Sequence, residues 1–316
     1  MPSDIPFITV VVCTRGRPLA LTQCLDSLRN LDDPRFETLV VNNNSNAQSI
    51  DTEVLAKNGF RVVHEQRRGL DHARNRGIVE ARGDIVAFID DDCIADPEWL
   101  THVRKAFRNK KVVCVTGRVV PTALEKRSHR WFENVSGFDR GKRTRRFVRD
   151  KGSLVVPGGA AQLGTGCNMA FRRELFDRIG GFDPALDMGT AVGGGGDIDM
   201  FVRVLQEGEV AVYTPRAVVQ HSHRDTLWAL ARQLFGYSAS VGALSMKYAV
   251  GGRSQRRRAV KNQLRWLMWK YRRTVRQPEG SRLIGVPLLL ICIAGNAWGP
   301  FAYFWSRWRA RRRGLS

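Results

Sequence analysis

The amino-acid sequence predicts an α/β fold, in which a Rossmann-like, mostly parallel sheet carries helices on both faces and a basic, partly apolar helical tail follows. Short β-branched runs alternate with amphipathic stretches over residues 8 to 119, which is typical of stacked βα units. The C-terminal region differs in charge, because residues 227 to 316 hold 18 Lys and Arg against one acid, Glu279. The preceding 226 residues hold 33 basic and 29 acidic side chains, so their charge is nearly balanced.

Five strands and a first helix are predicted in the first 120 residues. The strands are 8–13, 38–41, 61–64, 85–89 and 112–119. The helix begins near Pro18, because Leu21, Leu25 and Leu28 recur after it at helical spacing. Open parallel sheets bind ligands at the carboxyl ends of their strands, so we expect the functional residues just after each strand.

The second half of the sequence is less regular. Glycine-rich loops interrupt residues 147 to 213, including four consecutive glycines at 193 to 196. Such loops approach a substrate closely or move over it. A helix is predicted from residue 226 through Met246, followed by a basic segment at 253–276 and an apolar run at 283–305.

Three carboxylates, Asp90, Asp91 and Asp92, follow the predicted strand 85–89 directly. Adjacent acids repel one another, so this placement is unfavourable unless a cation or a hydrogen-bond network compensates. Hard cations such as Mg²⁺ and Mn²⁺ bind carboxylate and phosphate oxygens together. The alternative is a solvated acidic turn or a helix cap, and Asp96 fits the role of a cap better.

Two basic segments are candidates for binding phosphate. The turn after the first strand carries Arg15 and Arg17, whose guanidinium groups suit phosphate oxygens, although a basic loop in solvent is equally compatible. A second segment places Arg74 one turn into a helix, whose N-terminus favours anions. Taken alone, that segment is more typical of a surface helix. The turn lacks the Gly-x-Gly-x-x-Gly pattern, which disfavours hydride transfer.

Two acids and two histidines complete the candidate residues. Asp197 and Asp199 follow the four glycines, and a carboxylate beside a mobile loop suits a general base, whereas an acid at a helix start is often only a cap. We favour Asp197 as the base and Asp199 as the cap. His221 and His223 share one face of a strand and both could approach one metal, although paired surface histidines are commoner. We expect His223 to matter little.

The order and spacing of these motifs resemble those of family-2 glycosyltransferases of the GT-A fold over about residues 5 to 240. The resemblance implies that Asp92 and His221 bind the metal, Mn²⁺ or Mg²⁺, and that Asp197 is the catalytic base. Residues 164 to 172 look like the strand behind the donor sugar. The residues implied in nucleotide-sugar binding are Thr14, Arg15, Arg17, Asn42, Arg74, Asp90 and Asp91.

The sequence departs from the family pattern at two positions. Asn42 stands where an Asp usually contacts the nucleotide base, and Gly196 stands where a Glu usually precedes the catalytic Asp. The first change bears on base preference and the second on acceptor positioning. The Gln-x-x-Arg-Trp signature of processive synthases is absent, since residues 263–266 hold one residue too few. Transfer of a single sugar is therefore favoured.

The resemblance implies an inverting transfer of one sugar from a nucleotide diphosphate sugar to a carbohydrate or lipid-linked acceptor, such as a polysaccharide precursor. It implies a catalytic domain over residues 1–226, with a nucleotide-binding half at about 5–120 and an acceptor-binding half at about 121–226. Residues 227–316 would form a helical, membrane-associating tail.

The apolar run 283–305 has 23 residues, enough for a helix to cross a bilayer core of about 30 Å. It contains Pro287 and Pro300, and basic residues flank both of its ends. Moving residues 307–313 across a membrane would be unfavourable. We therefore favour a helix or hairpin in the inner leaflet over a true span.

Other features of the sequence also suit the cytoplasmic face of a membrane. Aromatic residues Trp266, Trp269 and Tyr271 lie among arginines and lysines, a pattern that fits an anionic headgroup layer. The six cysteines show no close pairing and the N-terminus lacks the features of a secretory signal, so we expect a reducing compartment and no export. We predict a cytoplasmic protein that is peripheral or monotopic at the inner face of the cell membrane.

Two other functions are compatible with parts of the sequence. The turn from Thr14 to Pro18 superficially resembles the nucleotide loop of sugar nucleotidyltransferases, but the Gly-x-Gly start and a following Lys are missing. A nucleic-acid-binding protein would explain the basic tail, yet no recognised binding motif is present and the charge is interleaved with apolar residues. We expect no nucleic-acid partner.

Overall fold

The computed structural model describes residues 5–44, 50–149, 157–249, 253–276 and 279–312. Within these residues, nine strands form one sheet. They are β1 (Ile8–Thr14), β2 (Phe36–Asn42), β3 (Arg61–His64), β4 (Ile85–Asp90), β5 (Cys93–Ala95), β6 (Val112–Pro121), β7 (Arg145–Phe147), β8 (Asn168–Arg172) and β9 (Val210–His221). The five strands predicted from the sequence correspond to β1, β2, β3, β4 and β6.

The strands are ordered β3-β2-β1-β4-β8-β6-β9-β5, and β7 pairs with β9. The four strands β3, β2, β1 and β4 are parallel to their neighbours in this order, whereas β8 runs antiparallel to both β4 and β6. Thr14 pairs with Asn42, and Cys13 pairs with Asp90. The carboxyl ends of β1, β2 and β4 therefore meet at one edge of the sheet, as predicted. The whole sheet is mixed, because four of its strand pairs are parallel and four are antiparallel.

Several helices pack on the two faces of this sheet, and the described residues form eleven α-helices in all. They are α1 (Pro18–Arg29), α2 (Thr52–Lys57), α3 (Leu70–Glu80), α4 (Trp99–Phe107), α5 (Arg127–Ser136), α6 (Pro157–Ala160), α7 (Leu175–Ile179), α8 (Gly196–Gln206), α9 (Leu227–Ala249), α10 (Arg253–Val275) and α11 (Glu279–Arg312). A short 3-10 helix spans Pro184–Leu186.

The two faces are separated by the alternation of side chains along each strand. In β1, Val10 and Val12 belong to the core shared with α1 and α4, whereas Val11 belongs to the core shared with α3 and α8. Burying one such aliphatic side chain contributes about 1.5–3 kcal/mol, so both layers stabilise the sheet. The predicted α/β fold with helices on both faces is confirmed.

The C-terminal helices pack against the sheet domain and against one another. Helix α11 crosses α9 at glycines, because a Cβ added to Gly299 would lie 2.1 Å from the carbonyl oxygen of Ala239. Trp298 Nε1 donates to the carbonyl oxygen of Ala191, 3.1 Å away in the loop before α8. Length and composition alone would let Gly285–Ala310 cross a membrane. In the structure one side of this segment packs on α9 and on the 3-10 helix Pro184–Leu186.

Candidate functional site

The acids predicted to bind ligands lie at the carboxyl edge of the sheet and meet a cation there. The side chain of Thr14 donates to Asp91 Oδ2 at 2.7 Å. Arg17 reaches back from the start of α1, with Nη2 2.5 Å from Asp91 Oδ1 and Nη1 2.5 Å from Asp92 Oδ2. The acidic run is therefore compensated by Arg17, a residue that the sequence analysis placed near phosphate.

The three neighbouring carboxyls differ in how firmly they hold their charge. Burial raises the pKa of Asp91 to about 6, although Arg17 and Thr14 favour the ionised form. Burial also raises the pKa of Asp90 against the opposing effect of Arg74. Asp92 is largely buried as well, but the neighbouring positive charge, to which the guanidinium groups of Arg17 and Arg224 contribute, outweighs the burial and lowers its pKa below the usual value. Asp92 is thus the best anionic ligand of the three.

Asp92, Cys93 and His221 form a cluster whose ligand atoms all lie within 4.8 Å of one another. The pairing of β5 with β9 sets this geometry, because Cys93 lies opposite His221 in the antiparallel ladder. Asp92 Oδ1 and His221 Nε2 are 3.6 Å apart. Burial lowers the pKa of His221 and so favours the neutral ring, which can coordinate a metal.

The donor atoms in this cluster suit a hard or borderline cation. Burial raises the pKa of the Cys93 thiol well above its ordinary value, so the sulfur keeps its proton and is a poor ligand. A carboxylate oxygen and an imidazole nitrogen remain, which are donors that Mn²⁺ accepts and Mg²⁺ tolerates. The residues present therefore fit the predicted metal, and the roles of Asp92 and His221 as its ligands stay a prediction.

Arg74 lies at the centre of the site and is buried. Its Nη2 is 3.5 Å from Asp90 Oδ1 and 3.4 Å from the carbonyl oxygen of Gly166, and its guanidinium covers the ring of Phe182 at 5.3 Å. Burial opposes its charge, but Asp90 and Asp71 outweigh it and raise the pKa of Arg74. The residue is a fixed cation beside the acidic run.

Asp197 lies in the first turn of α8, next to Arg74. Its Oδ2 accepts from the backbone N–H of Gly166 at 2.8 Å, and its Oδ1 accepts from Ile198 N at 2.9 Å. Gly166 thus contacts both Arg74 and Asp197. The structure brings together the predicted base and the predicted anion-binding arginine, which are far apart in sequence.

Two predicted donor-binding residues have simpler surroundings. Asn42 is fully buried beside Thr14, and its Oδ1 accepts from the backbone N–H of Asn44 at 3.0 Å. Arg15 is exposed at the turn after β1. Asn42 lies within the cluster at the strand ends, whereas Arg15 lies on the exposed turn that follows β1.

Asp199 does not cap α8 as the sequence predicted, because no side chain among the described residues caps that helix. Asp199 is fully buried, and its carboxylate meets Arg203 at 3.0 Å, Lys247 at 2.8 Å and the hydroxyl of Tyr248 at 2.7 Å. Arg203 belongs to α8, whereas Lys247 and Tyr248 belong to α9. Asp199 therefore ties the helix that carries Asp197 to the first helix of the tail.

The sequence analysis missed Asp71, which lies beneath the start of α8. Asp71 is buried, and its Oδ2 has no hydrogen-bond partner within the part of the chain that the structure describes. A Cβ added to Gly196 would lie 2.1 Å from this oxygen. Burial and the nearby Asp187 raise the pKa of Asp71 well above its ordinary value. The carboxyl of Asp71 thus takes the space that a side chain at position 196 would need, which accounts for the glycine there.

Asp187 was also missed, and it caps α3 from a distant loop. Its carboxylate accepts from the backbone N–H groups of Leu70 at 2.7 Å and Asp71 at 2.8 Å. A side chain from more than a hundred residues away fixes the start of the helix that carries Arg74. A helix start without a local capping residue was the only signal in the sequence.

The chain matches the glycosyl transferase family 2 over residues 9–180, more than half of its length. It is 26% identical over 239 residues to the pre-mycofactocin glycosyltransferase of Mycobacterium tuberculosis, covering 74% of this chain and 47% of that protein. It is 26% identical over 253 residues to the glucosyl-dolichyl phosphate glucuronosyltransferase of Haloferax volcanii, covering 74% and 76%. The succinoglycan biosynthesis protein ExoM of Rhizobium meliloti is 26% identical over 265 residues, covering 79% of each chain. The chain thus spans about half of the first relative and about three quarters of the other two.

A solved structure of similar fold is the mannosyltransferase PcManGT from Pyrobaculum calidifontis in complex with GDP-Man and Mn²⁺. The TM-score is 0.61 at 17% sequence identity, and the alignment covers 94% of this chain and 88% of that one. This likeness confirms the predicted GT-A fold.

Proposed function

The chain belongs to glycosyl transferase family 2, and we propose that it transfers a single sugar from a nucleotide diphosphate sugar to an acceptor hydroxyl, with a divalent metal and with inversion of configuration. The observation that carries the proposal is the carboxyl edge of the sheet. There Asp92 and His221 offer a metal pair. Arg74 lies between this acidic run and Asp197. Charge stabilisation and proton transfer can therefore operate side by side.

Asp92 and His221 would hold the metal. Bound there, Mn²⁺ or Mg²⁺ would neutralise the charge of the diphosphate leaving group. The mannosyltransferase of similar fold was solved with GDP-Man and Mn²⁺, which supports this choice of cofactor.

The protein itself supplies further positive charge for the leaving group. Arg74 is held in place by its acidic neighbours, so it can stabilise developing charge without first reorganising. The side chain of Arg17 is 43% exposed, which lets it turn from Asp91 and Asp92 toward a phosphate. Arg15 lies exposed on the same turn and would also bind a phosphate of the donor.

Thr14, Asn42, Asp90 and Asp91 form the floor on which the nucleoside would lie. The amide of Asn42 can both donate and accept, so it can pair with either type of group on a base. Asp90 ends β4 and Asp91 follows it at the same edge, where both would meet the ribose or phosphate. This arrangement supports donor binding without selecting one base.

Asp197 would act as the general base. Two backbone N–H groups orient its carboxylate, and oxygen lone pairs remain for an acceptor hydroxyl. The carboxylate takes the hydroxyl proton as the acceptor oxygen forms its bond to the anomeric carbon. The bond from that carbon to the diphosphate oxygen breaks on the opposite face, so a single displacement inverts the anomeric configuration.

The acceptor is proposed to be lipid-linked or a polysaccharide precursor, reached at the cytoplasmic face of a membrane. One relative is a glucosyl-dolichyl phosphate glucuronosyltransferase and another is a succinoglycan biosynthesis protein. Helix α11 supports this proposal, because it runs beside the loop before α8 and leaves large apolar side chains exposed. These are Val286, Leu290, Ile293, Trp298, Phe301, Phe304, Trp305 and Trp308.

The contacts of α11 favour a position in the plane of the inner leaflet over a span. One side of the helix packs on α9 and on the loop that contains Ala191. The other side combines apolar residues with arginines, and Arg309 and Arg312 stack on Trp305 and Trp308 at 4.9 Å and 4.1 Å. Such a mixed face suits the boundary between headgroups and acyl chains.

A thermal-shift panel of nucleotide sugars, each with and without Mn²⁺, tests the donor proposal. A true donor stabilises the folded protein by mass action, so one nucleotide sugar should raise Tm only when Mn²⁺ is present. Equal shifts without metal, or no shift across a panel that includes the common uridine, guanosine and thymidine diphosphate sugars, would contradict the proposal. Incubating the selected donor with acceptor extracts then tests inversion, by reading the anomeric configuration of the product.

Sedimentation with liposomes tests the membrane proposal on the full chain. We expect binding to anionic vesicles and strong loss of it when Leu290, Phe301 and Trp308 are all replaced by Glu. A matched control replaces Leu19 and Val79, which are 83% and 80% exposed on the sheet domain, by Glu. Similar sedimentation of both variants and the wild type would refute the assignment of α11 as the membrane face.

A further inference from the structure

Behind the proposed metal ligand His221, two further side chains form a line that leads away from the site. His221 Nδ1 lies 3.4 Å from His223 Nδ1. His223 Nε2 lies 2.7 Å from Glu133 Oε1 on α5. On the opposite side of the first ring, His221 Nε2 faces Asp92 Oδ1 at 3.6 Å. The line therefore runs from Glu133 through both imidazoles to the carboxylate of Asp92.

Hydrogen-bond chemistry assigns each proton along this line when both imidazoles are neutral and Glu133 is ionised. An ionised carboxylate only accepts, so His223 Nε2 donates to Glu133. A neutral imidazole donates through one nitrogen alone, so His223 Nδ1 accepts, and the proton between the rings belongs to His221 Nδ1. His221 Nε2 then carries a lone pair. It is the nitrogen that points toward Asp92.

The distance between His221 and Asp92 agrees with this arrangement. A separation of 3.6 Å is too long for an N–H···O hydrogen bond, as expected where a lone pair faces a carboxylate oxygen. If His223 were doubly protonated, His221 Nε2 would instead carry a hydrogen that points at Asp92 without bonding to it. Two acceptors turned toward one gap are what a cation requires.

Aromatic packing prevents the two rings from turning out of line. The ring of Phe138 meets His221 edge to face, with centroids 5.2 Å apart and planes at 90°. The ring of Phe132 meets His223 at 4.8 Å and 64°. The side chain of His223 is 2% exposed, so water does not compete for its nitrogens.

We propose that Glu133 and His223 are positioning residues, which hold His221 in the tautomer whose Nε2 is free to ligate the divalent metal. The proposal deepens the proposed function and rests on its metal site at Asp92 and His221. It also gives a role to His223, from which the sequence analysis expected little. Outer partners that orient a ligating histidine commonly change metal affinity by about 10- to 100-fold.

Mn²⁺ titration of the full-length protein, followed by electron paramagnetic resonance, tests the proposal with the metal alone. His223→Phe keeps an aromatic ring but removes the acceptor, and Glu133→Met keeps the length of the side chain but removes the oxygen. Both should weaken Mn²⁺ binding by about 10- to 100-fold. Glu133→Gln retains an amide oxygen that accepts from His223, so its affinity should stay within about threefold of the wild type.

Pulsed measurements give a readout that a general loss of stability would not change. Nitrogen coupling from a bound imidazole should be present in the wild type and in Glu133→Gln, and should be lost in His223→Phe and Glu133→Met at saturating Mn²⁺. The matched control is His129→Phe, which removes another buried histidine of α5, one that pairs with Asp225. It should keep both the affinity and the coupling.

The outcomes separate this proposal from the metal site on which it rests. Wild-type affinity and full nitrogen coupling in both His223→Phe and Glu133→Met would overturn the positioning role, while Asp92→Asn would still abolish binding. Equal losses in Glu133→Gln and Glu133→Met would also overturn it, because an oxygen acceptor would then be irrelevant. Mn²⁺ binding that survives Asp92→Asn would instead remove the proposed metal site itself.

Discussion

The carboxyl edge of the sheet and the C-terminal helices handle charge in opposite ways. At the edge, charges meet opposite partners and most of them are at least half-buried. Arg17, which is itself exposed, meets Asp91 and Asp92, and the buried Arg74 meets Asp90. In residues 227–316, 18 basic side chains stand against one acid. Several of these arginines stack on tryptophans at the surface, as Arg273 does on Trp269.

The difference indicates where each region finds its counter-charge. Removing one member of a buried ion pair costs several kcal/mol, whereas an exposed charge contributes about 1 kcal/mol or less. The charges at the edge of the sheet therefore balance one another, and a ligand would bind there by replacing a member of one of these ion pairs. The helices keep an excess of positive charge that an anionic surface outside the protein would balance. Single substitutions should consequently have large effects at the edge and small ones in the helices.

The largest effect is expected from Asp92→Asn. A neutral amide is a poor ligand for a hard cation, so metal-dependent nucleotide binding and sugar transfer should both be abolished while the fold persists. Calorimetry with the nucleotide of the selected donor and Mn²⁺ measures the loss. Asp96→Asn is the control, since Asp96 caps the turn before α4 and accepts from Glu98 N at 3.0 Å. Unchanged nucleotide binding in Asp92→Asn would contradict the expectation that substitutions at the carboxyl edge have the larger effects.

A second large effect is expected from Asp197→Asn. The substitution keeps size and shape but removes the proton acceptor, so turnover should fall by about 10²-fold or more while donor affinity persists. Steady-state kinetics with a verified acceptor, together with calorimetry of the donor, separates the two quantities. Near-normal turnover would exclude Asp197 as the base.

Asp199→Asn is the matched comparison, two residues further along α8. It should act on stability, because the carboxylate of Asp199 is fully buried between Arg203 and Lys247. We expect a loss of about 3–5 kcal/mol in unfolding free energy. Turnover per folded molecule should stay much closer to that of the wild type than in Asp197→Asn. A stable Asp199→Asn protein with the kinetic defect of Asp197→Asn would show that the two acids had been given the wrong roles.

A smaller effect tests the close approach of Asp71 to Gly196. Gly196→Ala places a Cβ where the carboxyl of Asp71 lies, so we expect a loss of stability of about 1–3 kcal/mol in denaturant unfolding. Combining it with Asp71→Ala removes the collision, and the double variant should lose less than the sum of the two single losses. Strict additivity would mean that the two side chains do not compete for space.

Much of the fold follows from local patterns. Apolar runs predict β1, β2, β4 and β6, because most residues of these strands are buried. The short strand β3 was predicted as well, although its residues are half-buried or exposed. The long strand β9 was missed apart from its end near His221, since it is bulged opposite Gly117 and its polar residues interrupt the pattern.

The candidate site could be predicted only where its residues are consecutive in the sequence. Asp90 to Asp92 could be identified from the sequence, because three adjacent acids need a compensating cation or hydrogen bonds. The nearness of Asp71 to Gly196 and the cap from Asp187 depend on chain segments more than a hundred residues apart, and no local pattern records such contacts. Glu133 was missed for the same reason, because α5 reaches His223 only in the folded chain.

A gain of stability is expected at Lys270, which is buried, whereas the other basic side chains of these helices whose exposure the structure describes are exposed or half-buried. Lys270 donates to the hydroxyl of Ser136 and lies 5.7 Å and 5.6 Å from the rings of Trp266 and Trp269. Burial lowers the pKa of Lys270 to about 8, from an ordinary value of 10.5. Between these two values the unfolded chain binds more protons than the folded one, so this residue makes stability rise with pH.

Below pH 8 the folded protein carries the full cost of a buried ammonium, at most about 3 kcal/mol. Lys270→Met removes that charge, so its Tm should exceed that of the wild type by a few degrees near pH 7, and the gap should narrow as pH rises toward 10.5. Lys261→Met, which removes an exposed charge from the same helix, controls for the change in net charge. A difference in Tm between Lys270→Met and the wild type that stays constant from pH 7 to 10.5 would mean that Lys270 is not desolvated. Its environment would then not differ from that of the exposed basic residues of α10.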